Sequence, residues 1–119
     1  MNEIEVLTKS VISIASELQR FKTIFMNAMN KLNLEEQKKY ISQFSWFEKK
    51  VKKALTDAGL LCIDVEGKPY DPGMAVTPLN IDEFEPDDVL YIKQMIEPII
   101  MQGDQLAKMG TVVLGRVEQ

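Results

Sequence analysis

Ala58-Gly59-Leu60-Leu61-Cys62-Ile63-Asp64-Val65 is the point at which this chain changes its period. Before Gly59 the apolar residues recur at intervals of three and four; after it they run together and are soon followed by Glu66-Gly67-Lys68-Pro69. The first pattern suits a helix, which returns a side chain to one face roughly every 3.6 residues. The second suits a short strand closed by a turn. A glycine at the junction can take the left-handed backbone conformation that ends helices, because it has no Cβ to clash. The fold class that follows is α+β, with a helical region over residues 1–58 and a β-rich domain over residues 59–119.

Working upstream, Ile4, Leu7, Val11, Ile14, Leu18, Phe21, Phe25, Ala28 and Leu32 keep a three-four alternation for about four heptads. Ile12, Ile24 and Met29 lie off this seam and widen it towards the stripe that a helix bundle needs. Asn33 and Glu36 have the spacing of a capping box, so a second helix should begin near Leu34 and run to Ala58. Its buried face would hold Ile41, Phe44, Val51, Leu55 and Ala58, broadened by Tyr40, Phe47 and Ala54. One short turn between the helices makes them antiparallel. A chain of 119 residues buries a limited share of its surface. Two long apolar stripes therefore call for a second copy, and the expectation is a dimeric four-helix bundle with Leu7, Val11, Ile14, Leu18, Phe21, Phe25 and Phe44 at the interface.

Downstream, Leu60 to Val65 reads as a strand and Glu66-Gly67-Lys68-Pro69 as a turn. The stretch from Tyr70 to Asp88 carries Pro72, Pro78, Pro86 and Gly73, which favours loops and short edge strands. Val89 to Ile96 has high β propensity, Gln102-Gly103-Asp104 is a turn signal, and Thr111 to Leu114 is a last strand. A hairpin or small antiparallel sheet is expected.

The composition narrows the function. Histidine is absent, which removes the commonest general base and the commonest metal ligand. A single cysteine, Cys62, can make neither an internal disulfide nor a structural zinc site. A net charge of -4 argues against nucleic-acid backbones as partners. The local Lys49-Lys50-Val51-Lys52-Lys53 run reads as a solvated helix face. Asp82-Glu83-Phe84-Glu85-Pro86-Asp87-Asp88 lacks the ligand alternation of a calcium loop and reads as a solvated acidic loop, with a charged recognition edge as its other use. Gly67-Lys68 is no phosphate loop, since Pro69 stands where Ser or Thr is needed. The acidic N-terminus and the lack of a long apolar run point to a cytoplasmic protein without a membrane span. No catalytic residue, metal or cofactor is assigned.

The order of short signals in the second half resembles the β-domain of the GrpE family, the nucleotide exchange factors of DnaK-type chaperones. The residues that carry the resemblance are Gly59-Leu60, the apolar strand before Gly67, Tyr70-Asp71-Pro72 followed by Ala75-Val76, Val89-Leu90-Tyr91-Ile92-Lys93-Gln94, and the late strand from Gly110 to Arg116. The resemblance implies a homodimer whose helices form a bundle and whose β-domains act as wings. It further implies that a wing binds the nucleotide-binding domain of a DnaK-type chaperone and promotes ADP release, without an enzyme activity of its own. Partner contacts would fall on Lys93, Met101, Gln105, Lys108, Met109 and Val112. Leu106-Ala107-Lys108-Met109-Gly110 stands where the family has Arg-Pro-Ala-Met or Arg-Ala-Ala-Met. A dimeric adaptor of the same shape without exchange activity is the alternative.

Overall fold

The computed structural model describes residues 2–118 and has two compact units, Met1–Leu61 and Cys62–Gln119. The first is a helical hairpin. Helix α1 (Glu3–Met29) starts at Asn2, whose Oδ1 accepts the Glu5 N–H at 2.8 Å. It ends in a tightened turn in which Lys31 and Leu32 N–H donate to Ala28 and Met29 carbonyls. The helix thus ends about one turn before Leu32, the last residue of the apolar seam and its expected end. Helix α2 (Leu34–Asp57) is capped as the sequence indicated: Glu36 N–H donates to Asn33 Oδ1 at 2.9 Å, while Asn33 Nδ2 donates back to Glu36 Oε1 at 3.1 Å. Gly59, at φ +81°, supplies the left-handed residue just beyond the end of α2.

The helices run antiparallel. Phe25 stacks on Phe44 with ring centroids 4.9 Å apart, and one turn earlier on α1 Lys22 pairs with Glu48, one turn later on α2, at 2.9 Å. Phe44 is buried between the two helices, with Phe21 and Phe47 each 6.3 Å from it.

Among the described residues there are six strands, β1 (Leu60–Ile63), which spans the boundary between the units, and, in the second unit, β2 (Val76–Pro78), β3 (Leu90–Glu97), β4 (Ile99–Gln102), β5 (Gln105–Lys108) and β6 (Gly110–Arg116), with a short 3-10 turn at Ile81–Glu83. They form two three-stranded sheets in the orders β1-β4-β5 and β2-β6-β3. β3 and β4 belong to different sheets and are separated only by Pro98, which has no N–H to give to a ladder. The expected antiparallel sheet is thus mixed, because β2 pairs with β6 in parallel, Val76 opposite Gly110. The turn expected at Gln102-Gly103-Asp104 is present, with Gly103 at φ +61° in the first central position of a two-residue turn, but the strand it returns into is β5, which the sequence did not announce.

Side chains alternate across β6, so Gly110, Val112 and Leu114 are buried and meet Ile92, Met95, Ile99, Val65 and Val76 in one core. Gly110 is required here by space: a Cβ would stand 2.9 Å from Ile99 Cγ1 and 3.1 Å from the Glu97 carbonyl oxygen. Asn80 extends the β6 edge in place of a strand, accepting the Leu114 N–H at 2.9 Å and donating to the Leu114 carbonyl at 3.0 Å. Asp64 and Glu66 are exposed, and both accept backbone hydrogen bonds. Asp64 accepts the Glu66 N–H, and Glu66 Oε1 accepts the Met95 N–H at 2.9 Å.

Candidate functional site

Two surfaces carry the residues singled out by sequence. The first is the β4-β5 hairpin and the strand that follows it. Register places Met101 opposite Leu106 and Ile100 opposite Lys108, so Met101, Gln105 and Lys108 share one hairpin. Gln105 is exposed, Met101 and Lys108 are half-buried, and Met109 at the entry to β6 is 45 % exposed. Leu106, 46 % exposed, joins them as a residue that the sequence reading did not select. Its position opposite Met101 depends on a bulge at Ala107, and no local pattern announces that bulge.

Lys108 is not a loose charge. Its Nζ lies 2.9 Å from Glu97 Oε2, while Glu97 Oε1 accepts the Thr111 hydroxyl at 2.8 Å. One carboxylate thus ties β5 to β6 at the end of β3. This arrangement points the ammonium to a fixed place on the surface, where a partner carboxylate would have to compete with Glu97. Lys93 is exposed but belongs to the other sheet, as the extra residue of a β-bulge between Ile92 and Gln94. Val112 has no exposed surface and is a core residue, so it cannot touch a partner and leaves the contact set. Met95, 1 % exposed, is likewise core.

The second surface is the hairpin of helices. The nine-residue seam divides in two. Val11, Leu18 and Phe25 are half-buried, whereas Leu7, Ile14 and Phe21, seven residues apart, are 65, 65 and 53 % exposed. At about 100° per residue these three fall on one flank of α1. On α2, Tyr40, Phe47 and Ala54 are also seven residues apart and exposed. The ring contacts Phe21–Phe44 and Phe44–Phe47 connect the flanks, so both border the same side of the hairpin. Phe44 was expected at a dimer interface. In the single chain it is already buried within the hairpin, and the exposed seam residues are what remain for a second chain.

Among the described residues no group of three or more Cys, Asp or Glu side chains is placed to hold a metal ion. Among the same residues no helix is long and apolar enough to cross a membrane. No family model, curated protein or solved structure matches the chain.

Proposed function

We propose that this chain is a GrpE-like co-chaperone that binds the nucleotide-binding domain of a DnaK-type chaperone and promotes release of ADP. The observation that carries the reading is the place of the resembling residues in the β unit. Gly59 and Gly67 have positive φ and turn the chain at the end of α2 and after β1. Asp71 Oδ1 accepts the Gly73 N–H at 3.1 Å and so makes the turn at Tyr70-Asp71-Pro72. Val76 enters the core, and the segments at Leu90 and Gly110 become the antiparallel pair β3 and β6. Each residue type is used for the geometry it is suited to.

The exposed apolar flanks of the hairpin support a homodimer in which two hairpins form a four-helix bundle, because each leaves a stripe that a second copy with the same stripe can cover. The wing surface of Met101, Gln105, Leu106, Lys108 and Met109 offers flexible apolar side chains around one fixed ammonium, a composition suited to a protein partner. Exchange follows if this surface binds the open nucleotide cleft more tightly than the closed one, since only differential affinity moves an equilibrium. Reciprocity then requires ADP to weaken this complex by the same factor by which the complex weakens ADP.

The adaptor reading is favoured by one observation, the Lys108–Glu97 pair. A lysine already paired with Glu97 cannot make the planar two-bond contact of an arginine. A Lys108→Ala, Met109→Ala double variant tests the surface. Loss of exchange with the fold intact supports the proposed surface, whereas unchanged exchange removes it.

A further inference from the structure

The outer side of α2 carries the only tryptophan of the chain among lysines. Phe44 and Leu55 are buried and Val51 is half-buried, and at about 100° per residue these three fall on one side of the helix. Trp46 falls on the opposite side and is 65 % exposed. Lys39 and Lys53, seven residues before and after it, lie along the same line of the helix. Lys49 and Lys50 stand one turn beyond it, with Lys50 Nζ 5.1 Å from the centre of the indole ring. All four lysines are exposed. From Lys38 to Lys53 there are six lysines and one carboxylate, Glu48, which is drawn inward to Lys22 at 2.9 Å. Lys53 pairs with Asp57 at the end of the patch. Among the described residues Lys39, Lys49 and Lys50 have no ion-pair partner.

A solvated face needs lysines but no indole, and this indole adds nothing to the hairpin core because it lies on the far side of α2. Charge decides what covers it. A second copy is a poor occupant, since a two-fold contact sets lysines against lysines. Helices bind lipid surfaces in proportion to the apolar area they bury, and the apolar side of α2 is already used by α1, which leaves a single ring. A convex ridge without arginine gives a nucleic-acid backbone no groove to follow. We propose that this face docks an acidic segment of another protein, whose carboxylates meet Lys39, Lys49 and Lys50 and whose apolar carbons cover the ring of Trp46. The lysines draw the segment in over distance, and the large rigid ring supplies the contact that holds it. Tyr40, Phe47 and Ala54 lie about 100° round the helix from Trp46, so a second hairpin on that flank leaves this face open. The proposal does not depend on exchange activity.

Because Trp46 is the only tryptophan, its emission reports the site in the full chain. The probe is a labelled peptide, Gly-Glu-Glu-Leu-Ala-Glu-Glu-Leu-Ala-Glu-Glu-Leu-Ala-Gly, with counterparts carrying Gln for every Glu or Ser for every Leu. Saturable binding of the first by anisotropy, with a blue shift of the emission, is expected, and at least tenfold weaker binding of both counterparts. A Lys39→Gln, Lys49→Gln, Lys50→Gln variant and a Trp46→Gln variant, all at exposed positions, should each bind about tenfold less tightly, or ~1.4 kcal/mol. Equal binding of the serine form without a shift in emission would make the face a charge patch and overturn the proposal. So would a shift produced by vesicles of phosphatidylserine and phosphatidylcholine, or by an oligothymidylate, but not by the peptide. Unchanged affinity in either variant, or no saturable binding of the first peptide up to about 1 mM, overturns it as well.

Discussion

Replacing Ile14 by Asp should dissociate the proposed dimer while leaving each hairpin folded. Ile14 is 65 % exposed in the single chain. Complete burial of an Ile side chain is worth ~1.5–3 kcal/mol, so covering the exposed two-thirds contributes roughly 1–2 kcal/mol per copy. A two-fold interface uses the position twice, giving roughly 2–4 kcal/mol, or a dissociation constant roughly 30 to 700 times larger at 1.4 kcal/mol per tenfold. This is a lower bound, because a carboxylate at an apolar contact adds its own desolvation penalty. The loss of helix propensity on going to Asp acts on monomer and dimer alike and cancels from the constant. Sedimentation equilibrium across the micromolar range gives the constant directly, with far-UV circular dichroism to check helicity. Asn27→Asp, which adds the same charge on the opposite flank of α1, is the control and should leave association unchanged. A wild-type chain that sediments as a monomer, or an Ile14→Asp chain as dimeric as wild type, would refute the assignment of this flank.

The β unit makes two further sharp predictions. Gly110→Ala forces a methyl group against Ile99 Cγ1 and the Glu97 carbonyl, and overpacking of this kind costs about 1–3 kcal/mol; thermal unfolding should shift down by several degrees, and an unchanged midpoint would mean that the core yields at no cost. Asn80→Ala removes both hydrogen bonds to the Leu114 backbone, which leaves buried groups unpaired at about 1–3 kcal/mol; the Leu114 amide should exchange with solvent faster, and unaltered protection would contradict its role. At the helix junction, Asn33→Ala should cost ~1 kcal/mol through loss of the α2 cap, read as a lower denaturant midpoint; no change would show that the tertiary contacts of α2 set its start without the cap.

The helices were legible because their signals are local. The three-four spacing, the Asn33-Glu36 box and Gly59 each act within a turn or two of chain, and the bounds of α2 follow from them. The strands were legible where apolar runs are long and bounded, as at Leu90 to Glu97. They were not where pairing over distance decides. β2 is three residues ending in proline and becomes a strand only because Gly110 and Leu79 donate N–H groups to Ala75 and Val112 carbonyls. β5 contains Ala107, a poor strand former, and exists through its hairpin with β4. The misplacement of Val112 has a similar origin. In Thr111-Val112-Val113-Leu114 adjacent positions are equally apolar, so alternation cannot say which phase faces the core, and a one-residue slip exchanges core for surface. The Glu97–Lys108–Thr111 contact joins three strands and has no sequence signature at all.

Stopped-flow release of a fluorescent ADP analogue from DnaK-type chaperones, with and without this chain at micromolar concentration, tests the central claim most directly. Acceleration of tenfold or more, abolished in the Lys108→Ala, Met109→Ala variant, is the predicted result. Release at the unassisted rate, in samples where the two proteins are shown to bind, would contradict exchange activity and leave the adaptor.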